Sequence, residues 1–114
     1  MPRTRYRVLD PTRAHFLTDT LVAWLPLFSR PSIAQIILDS WRHLQQSGRI
    51  KLYAFVVMEN HLHWIAAGDD LSGAIQSFKS FTANQIIATL KQESALTLLE
   101  ELEFFKLRHK LDCR

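Results

Sequence analysis

Residues 50–67 read IKLYAFVVMENHLHWIAA, two apolar runs separated by Glu59 and Asn60. The apolar run from Ile50 to Met58 lies between polar residues, which is typical of a strand in the middle of a sheet, covered on both faces. A second run, HLHWIAA, follows after only two residues. Glu59 and Asn60 predict a tight hairpin between the runs, because Asn adopts positive φ at low cost. The two runs are therefore predicted to be antiparallel neighbours.

Upstream of this hairpin the chain predicts one strand and one helix. Residues 14–22 alternate and are rich in Phe, Thr and Val, which favour extended backbone. From Pro31 onward, apolar residues recur at spacings of three and four, which is typical of an amphipathic helix. Pro31 suits the first turn of that helix, and Gly48 marks its end.

Two more helices are predicted downstream. Residues 71–92 have apolar side chains along one helical face, with Asp69 or Asp70 as the N-cap. Residues 95–110 change from acidic to basic along their length, as a helix dipole favours, and Ser94 is the expected cap. The order β-α-β-β-α plus a C-terminal helix predicts an α+β fold. We expect a ferredoxin-like (split βαβ) antiparallel sheet with helices on one face and its final strand missing.

Length and composition limit the class of protein. The 114 residues suffice for one domain, and 47% hydrophobic residues with 22% charged residues exclude a disordered chain. The single cysteine, Cys113, excludes an intramolecular disulfide framework and fits a reducing compartment. No apolar run approaches the roughly 18 residues that a membrane span needs. We therefore expect a cytoplasmic protein that has no membrane partner.

The positive charge is concentrated at the N-terminus. The formal net charge is +3, and residues 14–114 are balanced, so the excess lies in residues 1–13. The arginines of this segment are Arg3, Arg5, Arg7 and Arg13. The sequence thus predicts a basic arm, residues 1–13, before a domain at 14–114. Such an arm attracts phosphate backbones through counterion release, and a purely solubilising tail is the equal alternative.

The motif that most strongly indicates a functional site is His61-Leu62-His63. Residues two apart on a strand share a face, so both imidazoles should point the same way, with Leu62 and Trp64 pointing into the core. Two imidazoles on a rigid strand can hold one divalent ion and leave its other positions open to a substrate oxygen. The alternative is a pair of surface or hydrogen-bonded histidines.

Residues 53–66, YAFVVMENHLHWIA, resemble the strand-hairpin-strand of the single-tyrosine HUH transposases, and in particular their REP-associated branch. In that family a histidine, a bulky apolar residue and a histidine follow a Met-Pro-Asn-His or Leu-Glu-Asn-His stretch, and Met58-Glu59-Asn60-His61 is similar to that form. Further similarity covers nearly the whole chain, at residues 6–8, 15–18, 24–28, 30–31 and 78–82.

The resemblance implies DNA transposition, by cleavage and rejoining of single-stranded DNA beside a hairpin of the repetitive extragenic palindrome type. In such enzymes a tyrosine hydroxyl attacks a phosphodiester, and Mg²⁺ or Mn²⁺ polarises the phosphate. By this resemblance His61 and His63 are the metal ligands and catalytic residues. The second helix lies near the DNA in the family, so Lys79 and Thr82 are expected DNA contacts, with a solvated helix face as the alternative for both. The other expected DNA contacts are the arginines of the basic arm, Arg3, Arg5, Arg7 and Arg13.

The tyrosines depart from the family pattern. The family nucleophile lies on a helix beyond a fourth strand, and neither Tyr6 nor Tyr53 maps to that position. Residues 111–114 stand about where the fourth strand should begin, so we expect a domain that is incomplete relative to its family and does not cleave DNA by itself. Two alternatives stay open: a non-catalytic remnant that binds DNA or a protein partner, and an unrelated ferredoxin-like scaffold with structural histidines. An incomplete sheet also has an edge at which a second copy could pair as a homodimer.

Overall fold

A computed structural model describes residues 3–4, 13–20 and 25–112, with side chains placed in 13–20 and 25–104. The fold is α+β, an antiparallel sheet with three α-helices. The strands are β1 (Arg3–Thr4), β2 (His15–Thr20), β3 (Lys51–Val57) and β4 (His61–Ala67). A 3-10 helix, Leu27–Ser29, precedes α1 (Pro31–Gln46), α2 (Leu71–Gln92) and α3 (Leu96–Asp112).

The sheet has the order β1-β2-β4-β3, and every neighbouring pair is antiparallel. The predicted hairpin between β3 and β4 is confirmed, and the Met58 N–H donates to the His61 carbonyl at 2.9 Å. Its turn does not use the positive φ expected at Asn60, because Ser94 is the one described non-glycine residue with positive φ. The expected first strand, 14–22, is β2 over the part of the chain described there, and residues 21–24 lie outside it.

The expectation that residues 50–58 form a central strand is wrong. Among the described residues, β3 lies at the edge of the sheet, and β4 lies between β2 and β3. The apolar run indicated cover on both faces, but the side chains of Tyr53, Phe55, Val56 and Met58 are exposed. An apolar composition cannot distinguish a strand that other elements cover from one that is left uncovered.

Two helices, α1 and α2, cover one face of the sheet, as predicted, and α3 packs against α2. Trp64 of β4 packs against Trp41 of α1 and Phe78 of α2, with ring centroids 5.6 and 5.2 Å apart. Trp41 and Phe78 stack on each other at 5.7 Å with nearly parallel rings. Because these three side chains are buried, the core lies between this sheet face and the two helices. The other face of the sheet, opposite the helices, is called the open face below.

Local signals predicted most helix ends. α2 spans the predicted residues 71–92, and the Asp70 carboxylate accepts a hydrogen bond from the Gly73 N–H at 3.1 Å. α1 begins at Pro31, and Gly48, with a φ of +78°, follows its end. Ser94 is not a cap of the expected kind; it has a φ of +55° in the turn after α2, and α3 begins at Leu96. Within the described residues, no helix combines the length and apolar character that crossing a membrane requires.

Candidate metal and nucleic-acid site

The two histidines lie side by side on the open face of the central strand. Leu62 and Trp64, which alternate with His61 and His63, are buried on the helix-covered face. The imidazole centroids of His61 and His63 are 4.8 Å apart, and the rings meet edge to face at 79°. The predicted sharing of a face is therefore confirmed, and the two rings are close enough to approach one small cation.

Each imidazole is held through its Nδ1 atom. His61 Nδ1 lies 2.7 Å from the Asn60 side-chain oxygen, and His63 Nδ1 lies 3.0 Å from the Thr18 hydroxyl. When Nδ1–H donates to such an oxygen, the lone pair of the neutral ring is on Nε2. Histidines that bind metals are usually held in this way, because the second hydrogen bond selects the tautomer and orients the ring.

An aromatic ring borders the histidine pair on the neighbouring strand. Phe16 of β2 stacks on His63 with centroids 5.4 Å apart and planes inclined by 24°. The Phe16 side chain is nonetheless 53% exposed, and Val56 of β3, opposite His63, is also exposed. The open face therefore presents an aromatic and apolar surface next to two imidazoles. Such a surface can stack against unpaired nucleic-acid bases.

The donor set suits a partly open metal site. Among the side chains in 13–20 and 25–104, no group of three or more His, Cys, Asp and Glu residues is arranged to hold an ion. The pair of His61 and His63 would therefore supply two nitrogen ligands, and water or phosphate oxygens would have to supply the rest. Imidazole is a suitable ligand for Zn, Cu, Fe and Ni, whereas Mg²⁺ and Mn²⁺ are bound mainly through oxygen, so either of the two expected ions would take most of its ligands from water and phosphate.

Tyr53 does not lie beside the histidine pair in the sheet. It belongs to β3, between Leu52 and Ala54, at an irregularity in the pairing with β4. Val56 is the β3 residue opposite His63, three residues further along the strand, which corresponds to about 10 Å of backbone. The exposed Tyr53 ring has the Lys51 ammonium 5.4 Å from its centroid. Tyr6 lies outside the described residues.

The predicted DNA contacts on α2 lie on the wrong side of the sheet for this site. α2 packs on the helix-covered face through Phe78, whereas the histidines occupy the open face. Lys79 is partly buried on this helix. Thr82 is fully buried, and its hydroxyl donates to the Phe78 carbonyl at 2.7 Å. The expectation that Thr82 contacts DNA is therefore corrected: its hydroxyl is used inside the helix packing.

The predicted arginine contacts are distributed along the sheet. The backbone of Arg3 pairs with Thr20, which in turn pairs with His61, so one row of the sheet joins the N-terminal segment to the histidine pair. Arg13 is exposed and precedes β2 at the opposite end of that strand. Thr20 is seven residues beyond Arg13, roughly 20 Å along an extended chain. Arg5 and Arg7 lie outside the described residues.

Three residues at the site were not identified as functional from the sequence. Phe16 and Thr18 belong to a strand whose alternation was visible, but alternation does not reveal which strand lies beside it. Asn60 was assigned only to the turn, although its place next to His61 could have indicated a hydrogen bond to the imidazole.

Comparisons with protein-family models, curated proteins and solved structures found no match to this chain.

Proposed function

We propose that this chain is a domain of the REP-associated HUH transposase type, which binds a divalent metal ion and hairpin-bearing single-stranded DNA. The observation that carries the proposal is the geometry of His61 and His63, whose rings lie 4.8 Å apart on an open sheet face. The hydrogen bonds at Nδ1 support a ligand role, because both orient a ring, and the Asn60 oxygen, which can only accept, favours the His61 tautomer with a lone pair on Nε2.

The strand order also supports the proposal. α1 connects β2 to β3, and the β3–β4 hairpin places β4 between them. Two parallel strands joined by a helix with an antiparallel strand inserted between them form a split βαβ unit. We infer a ferredoxin-like topology on this basis, in which β1 pairs with the outer edge of β2.

The chain's own residues would orient the ion and the DNA. His61 and His63 would hold the ion, Asn60 and Thr18 would keep the two rings in place, and Phe16 would stack against an unpaired base. When bound, the ion supplies charge neutralisation at a phosphate oxygen. The basic residues near the N-terminus would contribute attraction to the phosphate backbone, which depends on the salt concentration.

Metal binding is tested by thermal unfolding with and without Mn²⁺. A free ion concentration one hundred times Kd stabilises the folded state by about 2.7 kcal/mol, which raises the Tm of a domain of this size by about 10 °C. His61→Ala and His63→Ala should abolish this increase. His43→Ala is the matched control, because His43 is an exposed histidine on α1, away from the open face. An equal Mn²⁺ effect in all variants, or none in the unmodified protein, contradicts metal binding at this pair.

DNA binding is tested with a fluorescently labelled hairpin oligonucleotide that has a single-stranded flank. Phe16→Ala should weaken binding by about 1–3 kcal/mol if the ring stacks against a base. Phe81→Ala is its control, because Phe81 is exposed to a similar extent on α2. Equal affinities of the two variants would argue against the open face as the DNA surface.

Strand cleavage is tested in the same mixture with Mn²⁺ by denaturing electrophoresis. A covalent protein–DNA adduct that disappears in the Tyr6→Phe or the Tyr53→Phe variant would identify the nucleophile. Binding without an adduct would favour the second candidate function, a non-catalytic DNA-binding module. The position of Tyr53 favours this second candidate, because a nucleophile must approach the metal-bound phosphate closely.

A further inference from the structure

Lys51 and Tyr53 lie on the open face at some distance from the histidine pair. Lys51 pairs with Ala67 of β4, and Ala67 shares the face of His61 and His63 because residues two apart on a strand point the same way. The Lys51 ammonium is 5.4 Å from the centre of the Tyr53 ring, so this ring also borders the open face. Both side chains are exposed, Tyr53 by 55%.

The strip of sheet between Phe16 and Tyr53 is apolar. Phe16, Ile65 and Ala54 form one row across β2, β4 and β3. Neighbouring strands are ~4.8 Å apart, so about 10 Å separates the backbones of Phe16 and Ala54, and Tyr53 is the residue next to Ala54. Two exposed aromatic rings therefore stand on either side of this strip.

The charge of the open face suits a polyanion. Among the described residues of β2, β3 and β4, this face includes Lys51 and no aspartate or glutamate. The acidic residue of β2, Asp19, is buried on the helix-covered face, where its carboxylate accepts from Trp64. Ala67, opposite Lys51, is four residues from His63, which corresponds to about 13 Å of strand. Since phosphates repeat along a nucleic acid, one strand can contact both places.

We propose that Tyr53 and Lys51 form a second contact for the unpaired flank of the DNA, in which a base stacks on the Tyr53 ring and a neighbouring phosphate pairs with the Lys51 ammonium. This inference rests on the proposed function, because it takes single-stranded DNA as the ligand of the open face. Every base has a face that an aromatic ring can stack against, and phosphates attract lysine. Tyr53 thereby has a binding role that does not use its hydroxyl.

The contact between Lys51 and Tyr53 is compatible with this ligand. A cation–π contact between exposed side chains is weaker than the stacking of a base on an aromatic ring. A base can therefore replace the ammonium on the ring, and the ammonium can then pair with phosphate. The flank would cross the sheet from Phe16, over β4, to Tyr53. Only an unpaired strand can do this, because the bases of a duplex already stack on each other.

The first test measures binding of a fluorescently labelled oligothymidine, without a hairpin and in EDTA. Tyr53→Ala should raise its Kd about 5- to 100-fold, the effect of losing one stacked base. Tyr53→Phe keeps the ring and should bind like the unmodified protein. Phe81→Ala is the matched control, because Phe81 is exposed to a similar extent but lies on α2.

The salt dependence of the same Kd tests the phosphate contact. Lys51→Gln should lower the slope of log Kd against log salt concentration by about 0.7, the share of one phosphate on a single strand. Lys51→Arg keeps the charge and should keep the slope. Lys91→Gln is the control, because Lys91 is an exposed lysine in the last turn of α2. An equal change of slope in Lys51→Gln and Lys91→Gln would overturn the assigned phosphate contact.

These conditions separate the second contact from the proposed function. Neither metal nor hairpin is present, so a failure of Mn²⁺ binding at His61 and His63 leaves this result unaffected. Failure of the unmodified protein to bind the oligothymidine, an unchanged Kd in Tyr53→Ala, or a Tyr53→Phe variant as weak as Tyr53→Ala would overturn the second contact. Tighter binding of an oligouridine would overturn its assignment to DNA.

The second test identifies the stacking residues by photo-cross-linking. A hairpin oligonucleotide with one 5-iodouracil in its flank is irradiated with the full chain, and mass spectrometry identifies the attached residue. We expect attachment to Phe16 when the label is next to the hairpin and to Tyr53 when it is further along. Phe55 is the internal control, because it is exposed on the same strand but packs against Trp41 on the helix-covered side. Attachment to Phe55 instead of Tyr53 would refute the proposed path.

Discussion

Trp64→Phe should destabilise the protein more than Trp41→Phe does, although the two indoles occupy the same cluster. Both side chains are 1% exposed, and they contact each other and Phe78. Their indole N–H groups differ. Trp64 Nε1 donates to the buried Asp19 carboxylate at 2.8 Å, whereas Trp41 Nε1 is buried and has no acceptor among the described residues.

The expected difference follows from the hydrogen bond. Both substitutions remove a similar part of a ring, so the loss of packing is comparable. Trp64→Phe also removes a hydrogen bond to the buried Asp19 carboxyl group, and a buried acceptor that loses such a donor costs about 1–3 kcal/mol. Trp41→Phe instead removes a buried donor that lacks a partner, which relieves a cost of about 1–3 kcal/mol. Trp64→Phe should therefore be the more destabilising change by at least about 2 kcal/mol, or roughly 8 °C in Tm.

Urea unfolding measures this difference directly. Far-UV circular dichroism is the appropriate signal, because replacing a tryptophan changes the fluorescence itself. The m-values of the two variants should agree, so that the midpoints report stability alone. Equal losses of unfolding free energy, or a greater loss for Trp41→Phe, would show that the hydrogen bond from Trp64 to Asp19 does not stabilise the folded state.

Two further perturbations test other contacts. Gly68→Ala should lower the free energy of unfolding by about 1–3 kcal/mol, because the added Cβ would lie 2.4 Å from the Arg49 carbonyl oxygen, a backbone atom that cannot move freely. An unchanged urea midpoint would contradict this close approach. The Arg30 hydrogen bond lowers the pKa of Glu93, so this contact stabilises the folded state above the usual carboxyl pKa and is lost as the pH falls through the lowered one. The difference in Tm between the unmodified protein and Glu93→Gln should therefore shrink in acid, and a difference that stays constant from neutral pH to pH about 3 would contradict the assignment.

Much of the site's local geometry could be predicted because it depends on neighbours in the chain. The shared face of His61 and His63 follows from the two-residue period of a strand, and the bounds of α2 follow from its apolar period and the Asp70 cap. The hairpin at Glu59-Asn60 has the same local origin. These features need no knowledge of which distant segments come together.

The partners of the site could not be predicted from local pattern. Thr18 and Phe16 contact His63 across 45 or more residues of chain, and that pairing depends on the register between β2 and β4. The burial of Thr82 was missed for a similar reason, because helical spacing shows a polar residue on a face without showing what covers the face.

The three α-helices, the strands β2, β3 and β4, their order and the common face of the two histidines all follow from the sequence, since each is governed by residues within one or two turns or pleats. The pairing of β1 with β2 does not. The central place of β4 and the position of β3 at the edge of the described sheet depend on the tertiary structure. An apolar strand has the same composition in either place. The strand order is set by long-range hydrogen bonding and by which face the helices can cover, and these are properties of the whole chain.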